Sequence, residues 1–213
     1  MDVIHADFQS RAERSAYVAQ RYGDRLRGRV LDVGCDERAL EAHVLETGSY
    51  MGIDIGGDPT RVVDLEAAET LPFEDGAFDF VVCTDVLEHI DAMHRVFDEM
   101  VRVTRSGGGL VVSLPNCWRA VRRRVPRGAG TPRFYGLPVE KPADRHKWFF
   151  NVDDVAAFFE GQARRQPVRV VEQFATVKPR NPLDRSLRTL LAGGRRRYLN
   201  RHAVGVWTLL EKQ

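Results

Sequence analysis

The sequence predicts an α/β fold: a Rossmann-like, doubly wound and mostly parallel sheet, built by a single domain over residues 1–213. Three observations carry this. Apolar runs short enough to be strands alternate with stretches of helical periodicity, the pattern of crossover-linked parallel strands. The stretch Arg29–Glu41, RVLDVGCDERALE, passes from a buried strand (Val30, Leu31, Val33) through a tight turn at Gly34-Cys35-Asp36 into a helix expected from Glu37. Asp54 then ends the second strand, about 22 residues after Asp32. An acid there can accept two hydrogen bonds from ribose hydroxyls, and the glycine turn brings backbone N–H groups close to a ligand.

The elements follow in order. Phe8 to Tyr22, inside an N-terminal helical region over 1–28, is expected to be an amphipathic helix with Phe8, Ala12, Ala16 and Ala19 inward and Gly23 as its stop. It either covers the mouth of a ligand site or buries a sheet edge. Glu37 to Thr47 is expected to be helical, with Leu40 and Val44 inward and Gly48 as its stop. Tyr50 to Asp54 is the second strand. After the turn residues Gly56-Gly57-Asp58-Pro59, Arg61 to Leu65 already reads as a third strand. A parallel crossover normally needs a dozen or more residues. Either the connection is compressed or the third strand is a short irregular edge.

Phe78 to Cys83 is a buried strand, and Thr84-Asp85-Val86-Leu87-Glu88-His89 leaves its carboxyl end. Asp91 is expected to cap a helix to Val103 that buries Met93, Val96, Phe97, Met100 and Val101, with Ser106-Gly107-Gly108-Gly109 stopping it. Leu110 to Pro115 is the fifth strand, Asp153 to Glu160 a short helix and Val168 to Val177 the sixth strand. A helix bearing Leu183, Leu187, Leu190 and Leu191 is expected before the last strand, Ala203 to Leu210.

Two blocks resemble the class I S-adenosylmethionine (SAM) dependent methyltransferases, methyltransferase type 11-like subgroup. RVLDVGC is similar to that family's first motif, and LPFEDGAFDFVVCTDVLEHI looks like its middle block almost letter for letter. The resemblance implies about seven strands with the last antiparallel, SAM as cofactor, and an O- or N-methyltransferase. It places Asp32, Gly34, Asp54, Ile55, Asp64, Leu65 and Thr84 in the cofactor pocket, Asp54 on the ribose and Asp64-Leu65 facing adenine. Asp36 and Arg38 depart from the family pattern, standing where it has its later glycines. Asp tolerates left-handed backbone better than most residues, and Arg38 is assigned to the methionine carboxylate of SAM, the alternative being an exposed helix residue.

Methyl transfer to a hydroxyl or amine needs a positioned acceptor and a group that takes its proton. His89 and His146 are the candidates, since imidazole titrates near neutral pH. His89 otherwise orients a loop, and His146 grips the acceptor or is a surface histidine. Asp85 is the third catalytic candidate, orienting the acceptor or the amine of SAM.

Charge points to the acceptor class. The net charge is only +2, yet residues 116–147 hold nine Lys/Arg against Glu140 and Asp144, and 178–201 hold eight against Asp184. Each segment is therefore +7, leaving −12 for the rest. Basic insertions at 116–150 and 178–201, after the fifth and sixth strands, read as an acceptor lid. The first interleaves its arginines with Trp118, Phe134, Tyr135, Trp148, Phe149 and Phe150. A small, anionic acceptor fits, with sugar-linked or lipid-linked molecules and peripheral contact with an anionic membrane among the options. No RNA-recognition motif is present, so nucleic acid ranks below these. Cys35, Cys83 and Cys117 have no zinc spacing and read as free thiols, no metal ligand set is expected, and a cytoplasmic location is expected. Two other readings stand beside the methyltransferase: a non-catalytic docking protein of the same fold, favoured by the altered first motif, and a nicotinamide-linked oxidoreductase, disfavoured by the absence of GxGxxG.

Overall fold

In a computed structural model, which describes residues 1–44, 48–117 and 146–213, eight strands form one sheet in the order β1-β7-β8-β6-β5-β2-β3-β4. The strands are β1 (Asp2–His5), β2 (Arg29–Val33), β3 (Ser49–Asp54), β4 (Arg61–Val62), β5 (Phe78–Thr84), β6 (Thr104–Pro115), β7 (Val168–Val177) and β8 (Ala203–Lys212). All neighbours pair in parallel except β8, which runs antiparallel to both β6 and β7. The last strand is thus antiparallel as expected, but it is inserted between β6 and β7. The strand that sequence patterning missed is β1, four residues that pair with the outer edge of β7.

Period-two alternation sends successive side chains to opposite faces, and each face carries its own core. On one face Val30, Phe80, Val82, Val111, Phe174 and Trp207 pack against Val18 and Tyr22 of helix α1 (Arg11–Tyr22). On the other, Leu31, Val81, Leu110 and Val112 pack against Phe97 and Met100 of α2 (Met93–Val103) and Phe159 of α3 (Val152–Arg165). Helices on both faces make the sheet doubly wound. Burial of each such side chain is worth about 1.5–3 kcal/mol, so the two layers fix the sheet on which the loops sit.

The expected helix boundaries shift for local reasons. The first helix starts at Arg11 because the Ser10 hydroxyl accepts the Glu13 N–H. That start turns Ser15, Val18 and Tyr22 inward and leaves Ala12 and Ala16 exposed, and the chain continues past Gly23 in a 3-10 turn to Arg27. Asp91 does not cap α2. Ala92 holds the cap position, and the Asp91 carboxylate accepts from Lys147 Nζ at 2.8 Å. Thr104 opens β6 directly after Val103, so the triple glycine belongs to the strand's start. Helix α3 starts at Val152, where Asn151 and Asp154 form a reciprocal capping box, and runs past the expected end at Glu160 to Arg165.

The largest departure comes after β2. The helix expected from Glu37 is absent: turns lead to a short 3-10 segment, Glu41–His43, with Leu40 and Val44 still buried. Asp36 and Arg38 both hold positive φ, 51° and 56°, and a left-handed residue breaks α-helical propagation. On the other side of β3, residues 55–60 join it to β4 in parallel register, Ile53 opposite Arg61. The compressed connection and the short edge strand are therefore both present, and Val63 to Leu65 lies beyond the edge.

Most of the 116–150 segment, including Trp118, Phe134 and Tyr135, lies outside the described residues. Its described ends are anchored. Asn116 Nδ2 donates to the carbonyls of Asn200 and Ala203, both at 3.0 Å, and the Trp148 indole N–H donates to the Ile90 carbonyl at 2.8 Å. The 178–201 segment folds as helices α4 (Pro182–Leu191) and α5 (Arg195–His202). Among the described residues no helix is long and apolar enough to cross a membrane.

Candidate active site

The carboxyl ends of β2, β3, β5 and β6 lie along one edge of the sheet, where an open parallel sheet binds its ligands. Two loops meet there. Gly34, with φ 74°, turns the chain after β2, and its N–H donates to the Ile53 carbonyl at 2.8 Å. A Cβ at Gly34 would stand 2.3 Å from Val86 Cγ2, so only glycine lets the loop after β5 close against it. The facing loop brings Gly57 against the Asp36 backbone, and the Asp58 N–H donates to the Asp36 carbonyl at 2.9 Å. Asp36 and Arg38 thus take the left-handed conformations that glycines would supply, at the cost of some backbone strain.

Asp54 ties the loops together. One carboxylate oxygen accepts the Asp36 N–H at 2.9 Å, the other the N–H groups of Ile55 at 2.7 Å and Gly56 at 3.4 Å. A carboxylate has about four lone-pair sites, so acceptor capacity remains for one hydroxyl. Beside it Ile55 is 67% exposed, an apolar face open to a flat ring. Asp64 accepts from the N–H groups of Glu66 and Ala67 with one oxygen, at 2.9 and 3.2 Å, while Leu65 is buried in the core behind it. Thr84 is buried at the end of β5.

Two expected cofactor residues have partners within the protein. Arg38 donates to Asp58 at 2.6 Å and lies 3.2 Å from Glu41, so it braces the turn. Arg38→Ala is expected to change SAM affinity by less than about threefold in a calorimetric titration; a tenfold loss would return it to the pocket. Asp32 is buried beneath the loop and accepts from the Tyr50 hydroxyl at 3.0 Å. Burial pushes its carboxyl up to about 7, the Tyr50 hydrogen bond opposing.

The cations that do reach the strand ends come from α1. Arg11 donates to the Gly34 carbonyl and lies 3.9 Å from Asp36. Arg14 lies 3.7 Å from Asp85. Sequence reasoning missed both, since on the helix alone they read as solvent-facing. Asp85 itself has φ 54° and accepts from the Ser113 hydroxyl at 2.7 Å, which fixes the carboxylate between β5, β6 and α1.

His89 and His146 are brought together. Their rings meet edge to face with centroids 4.5 Å apart. Cys117 Sγ lies 3.6 Å from His146 Nδ1. Lys147 holds the returning chain in place through Asp91 and through Glu66 at 3.1 Å, and the Lys147 and Trp148 N–H groups donate to the Glu88 carbonyl at 2.8 and 3.1 Å. Glu88, which sequence reasoning passed over, is 1% exposed, and neither carboxylate oxygen has a hydrogen-bond partner among the described residues. Burial first, then the Asp85 charge, raises its carboxyl well above the usual range. Ligand atoms of Glu88, His89 and His146 all lie within 4.8 Å of one another. That donor set could equally hold a divalent cation, although no metal ligands were expected from the sequence.

The strand ends thus gather a carboxylate with one acceptor site left at Asp54, an exposed apolar side chain at Ile55, and guanidinium groups at Arg11 and Arg14 beside Asp36 and Asp85.

Comparison with known proteins agrees. A family profile described as a methyltransferase domain matches residues 8–162. The ubiquinone biosynthesis O-methyltransferase of Cronobacter sakazakii is 28% identical over 153 residues, covering 60% of this chain and 63% of that protein. The match thus spans less than two thirds of the relative's length. Among solved structures, a SAM-dependent methyltransferase from Archaeoglobus fulgidus superposes with a TM-score of 0.59 at 16% identity, covering 96% of this chain and 95% of the other. The [4+2]-cyclase SpnF does so at 0.58 and 16%, covering 99% and 87%. These two likenesses bear on the fold, and the cyclase is a reminder that this fold hosts more than one chemistry.

Proposed function

Because this chain belongs to the methyltransferase-domain family, we propose that it transfers the methyl group of SAM to a hydroxyl or amine of a small, anionic acceptor. The observation that carries the reading is the assembly at one sheet edge of an acid with an acceptor site left for a hydroxyl, two unexpected arginines and a histidine pair. When bound, SAM supplies an electrophilic methyl on a sulfonium. The new bond joins the acceptor oxygen or nitrogen to that carbon, the carbon–sulfur bond breaks, and the acceptor's proton must leave.

His89 takes that proton, and His146, in edge-to-face contact, holds its ring in place. Asp85, fixed by Ser113, orients the acceptor or the amine of SAM. Arg11 and Arg14 replace Arg38 as the grip on the methionine carboxylate. The O-methyltransferase relative favours oxygen as the receiving atom, and the +7 charge of 116–147 favours an anionic acceptor. A divalent cation on Glu88, His89 and His146 is the second reading, and activity abolished by a chelator and restored by added metal would select it.

The test is calorimetric titration of the full chain with SAM. Micromolar binding is expected, weakened about tenfold in Arg14→Ala by loss of one charge-assisted contact. Absence of binding at millimolar SAM would overturn the reading in favour of a non-catalytic docking protein.

A further inference from the structure

Helix α4 presents an apolar stripe to solvent. Leu183, Leu187, Leu190 and Leu191 are 80%, 55%, 76% and 72% exposed, and they recur at the spacing of one helix face. Its other residues include Asp184, Arg185 and Arg188, and the surrounding segment 178–201 is +7. Arg195, Arg196 and Arg197 open the next helix and are exposed. A contiguous apolar stripe bordered by cations marks a surface that meets a partner.

We infer that α4 and the start of α5 dock this protein on an anionic lipid bilayer. An amphipathic helix with leucines on one face and arginines beside it lies in the bilayer interface: the leucines enter the acyl boundary, and the arginines meet anionic headgroups. Other occupants fit less well. A second copy would set one +7 segment against another, a like-charge contact. The chain's own 116–147 segment is +7 as well. Nucleic acid would satisfy the arginines through phosphate and leave the leucines in water.

A cavity of about 840 Å³ lies beneath α4, and Leu190 lines it together with Val3, His5, Arg185, Arg195 and Tyr198. Val3, Leu190 and Leu199 give this lining an apolar part, and Arg185, Arg195 and Asp2 a charged one. Arg185 already touches His5 Nε2 at 2.5 Å, which holds the helix over the end of β1.

The register of the sheet gives this docking a direction. Pro115 at the end of β6 pairs with Gly205, and Val177 at the end of β7 pairs with Ala203, so both strands finish at the same level of β8. Helix α4 therefore leaves the sheet edge that carries the active-site loops. A bilayer meeting α4 would lie toward those loops.

Docking on a bilayer does not depend on methyl transfer, and its test reads bilayer binding alone. The purified full chain is sedimented with vesicles of phosphatidylcholine, with and without phosphatidylglycerol, at low and high salt. Binding is expected to phosphatidylglycerol vesicles only, falling as salt rises. It should drop tenfold or more in Leu183→Ser/Leu187→Ser/Leu190→Ser, and similarly in Arg195→Glu/Arg197→Glu. Because the three leucines are exposed, the first variant should melt as the parent does. No binding by the parent, or equal binding by both variants, overturns the inference. So does a parent dimer that the leucine variant turns into a monomer, which would give the stripe to a second copy.

Discussion

Asp54→Ala is expected to lower SAM affinity by about tenfold to a hundredfold, and to loosen both loops of the site. The carboxylate accepts from Asp36, Ile55 and Gly56, which leaves about one of its four lone-pair sites for a ribose hydroxyl. A charge-assisted hydrogen bond is worth about 1.5–3 kcal/mol, and losing one to a ribose hydroxyl gives this range at about 1.4 kcal/mol per decade. The same substitution leaves the Asp36 and Ile55 N–H groups without their acceptor. A stability loss of about 1–3 kcal/mol by urea unfolding should therefore accompany the binding loss. Asp54→Asn separates the two effects: its one carbonyl oxygen has two lone pairs against the carboxylate's four, so partial stability with weakened binding is expected. If Asp54→Ala binds SAM as the parent does, the ribose lies elsewhere and Asp54 serves the loops alone.

The way Asp54 ties two loops together shows how much of this site the sequence disclosed. Strand ends were legible, because apolar runs of β2, β3, β5 and β6 stop at polar residues, and Gly34, Asp54 and Asp85 fall at those stops. The two faces of the sheet were legible through period-two alternation. The turn after β2 was not. A sequence lacking two glycines still reads as a helix start, whereas Asp36 and Arg38 adopt the glycine-like backbone and forbid the helix. Strand β1 escaped because four residues with no flanking turn give no periodic signal. Arg11 and Arg14 escaped because their partners, Gly34, Asp36 and Asp85, are brought to them only by docking of α1 on the sheet. Glu88 escaped for a related reason: an acid beside a histidine reads as surface until the returning chain at His146–Trp148 buries it.

The second large effect is expected at Asp32, and it separates support from binding. Its carboxyl is buried, accepts from Tyr50, and is pushed up to about 7 by burial, against an ordinary value near 3.9. The unfolded chain releases this proton near pH 4, while the folded protein keeps it until about pH 7. Between those values the native state binds more protons, so the Asp32 contribution to stability is complete below about pH 4 and is lost as pH rises through 7. Every pH unit separating the folded from the unfolded value is worth about 1.36 kcal/mol, which bounds the loss at about 4 kcal/mol. Asn at this position resembles the protonated acid: one acceptor for the Tyr50 hydroxyl, one donating group, and no charge to bury. Asp32→Asn should therefore match the parent in urea unfolding near pH 4 and exceed it by about 2–4 kcal/mol at pH 8. SAM affinity at pH 7 should hardly move if Asp32 only supports the loop from below. An equal stability difference at both pH values would mean that Asp32 stays charged in the fold, and a large loss of affinity would return it to the cofactor's own contacts.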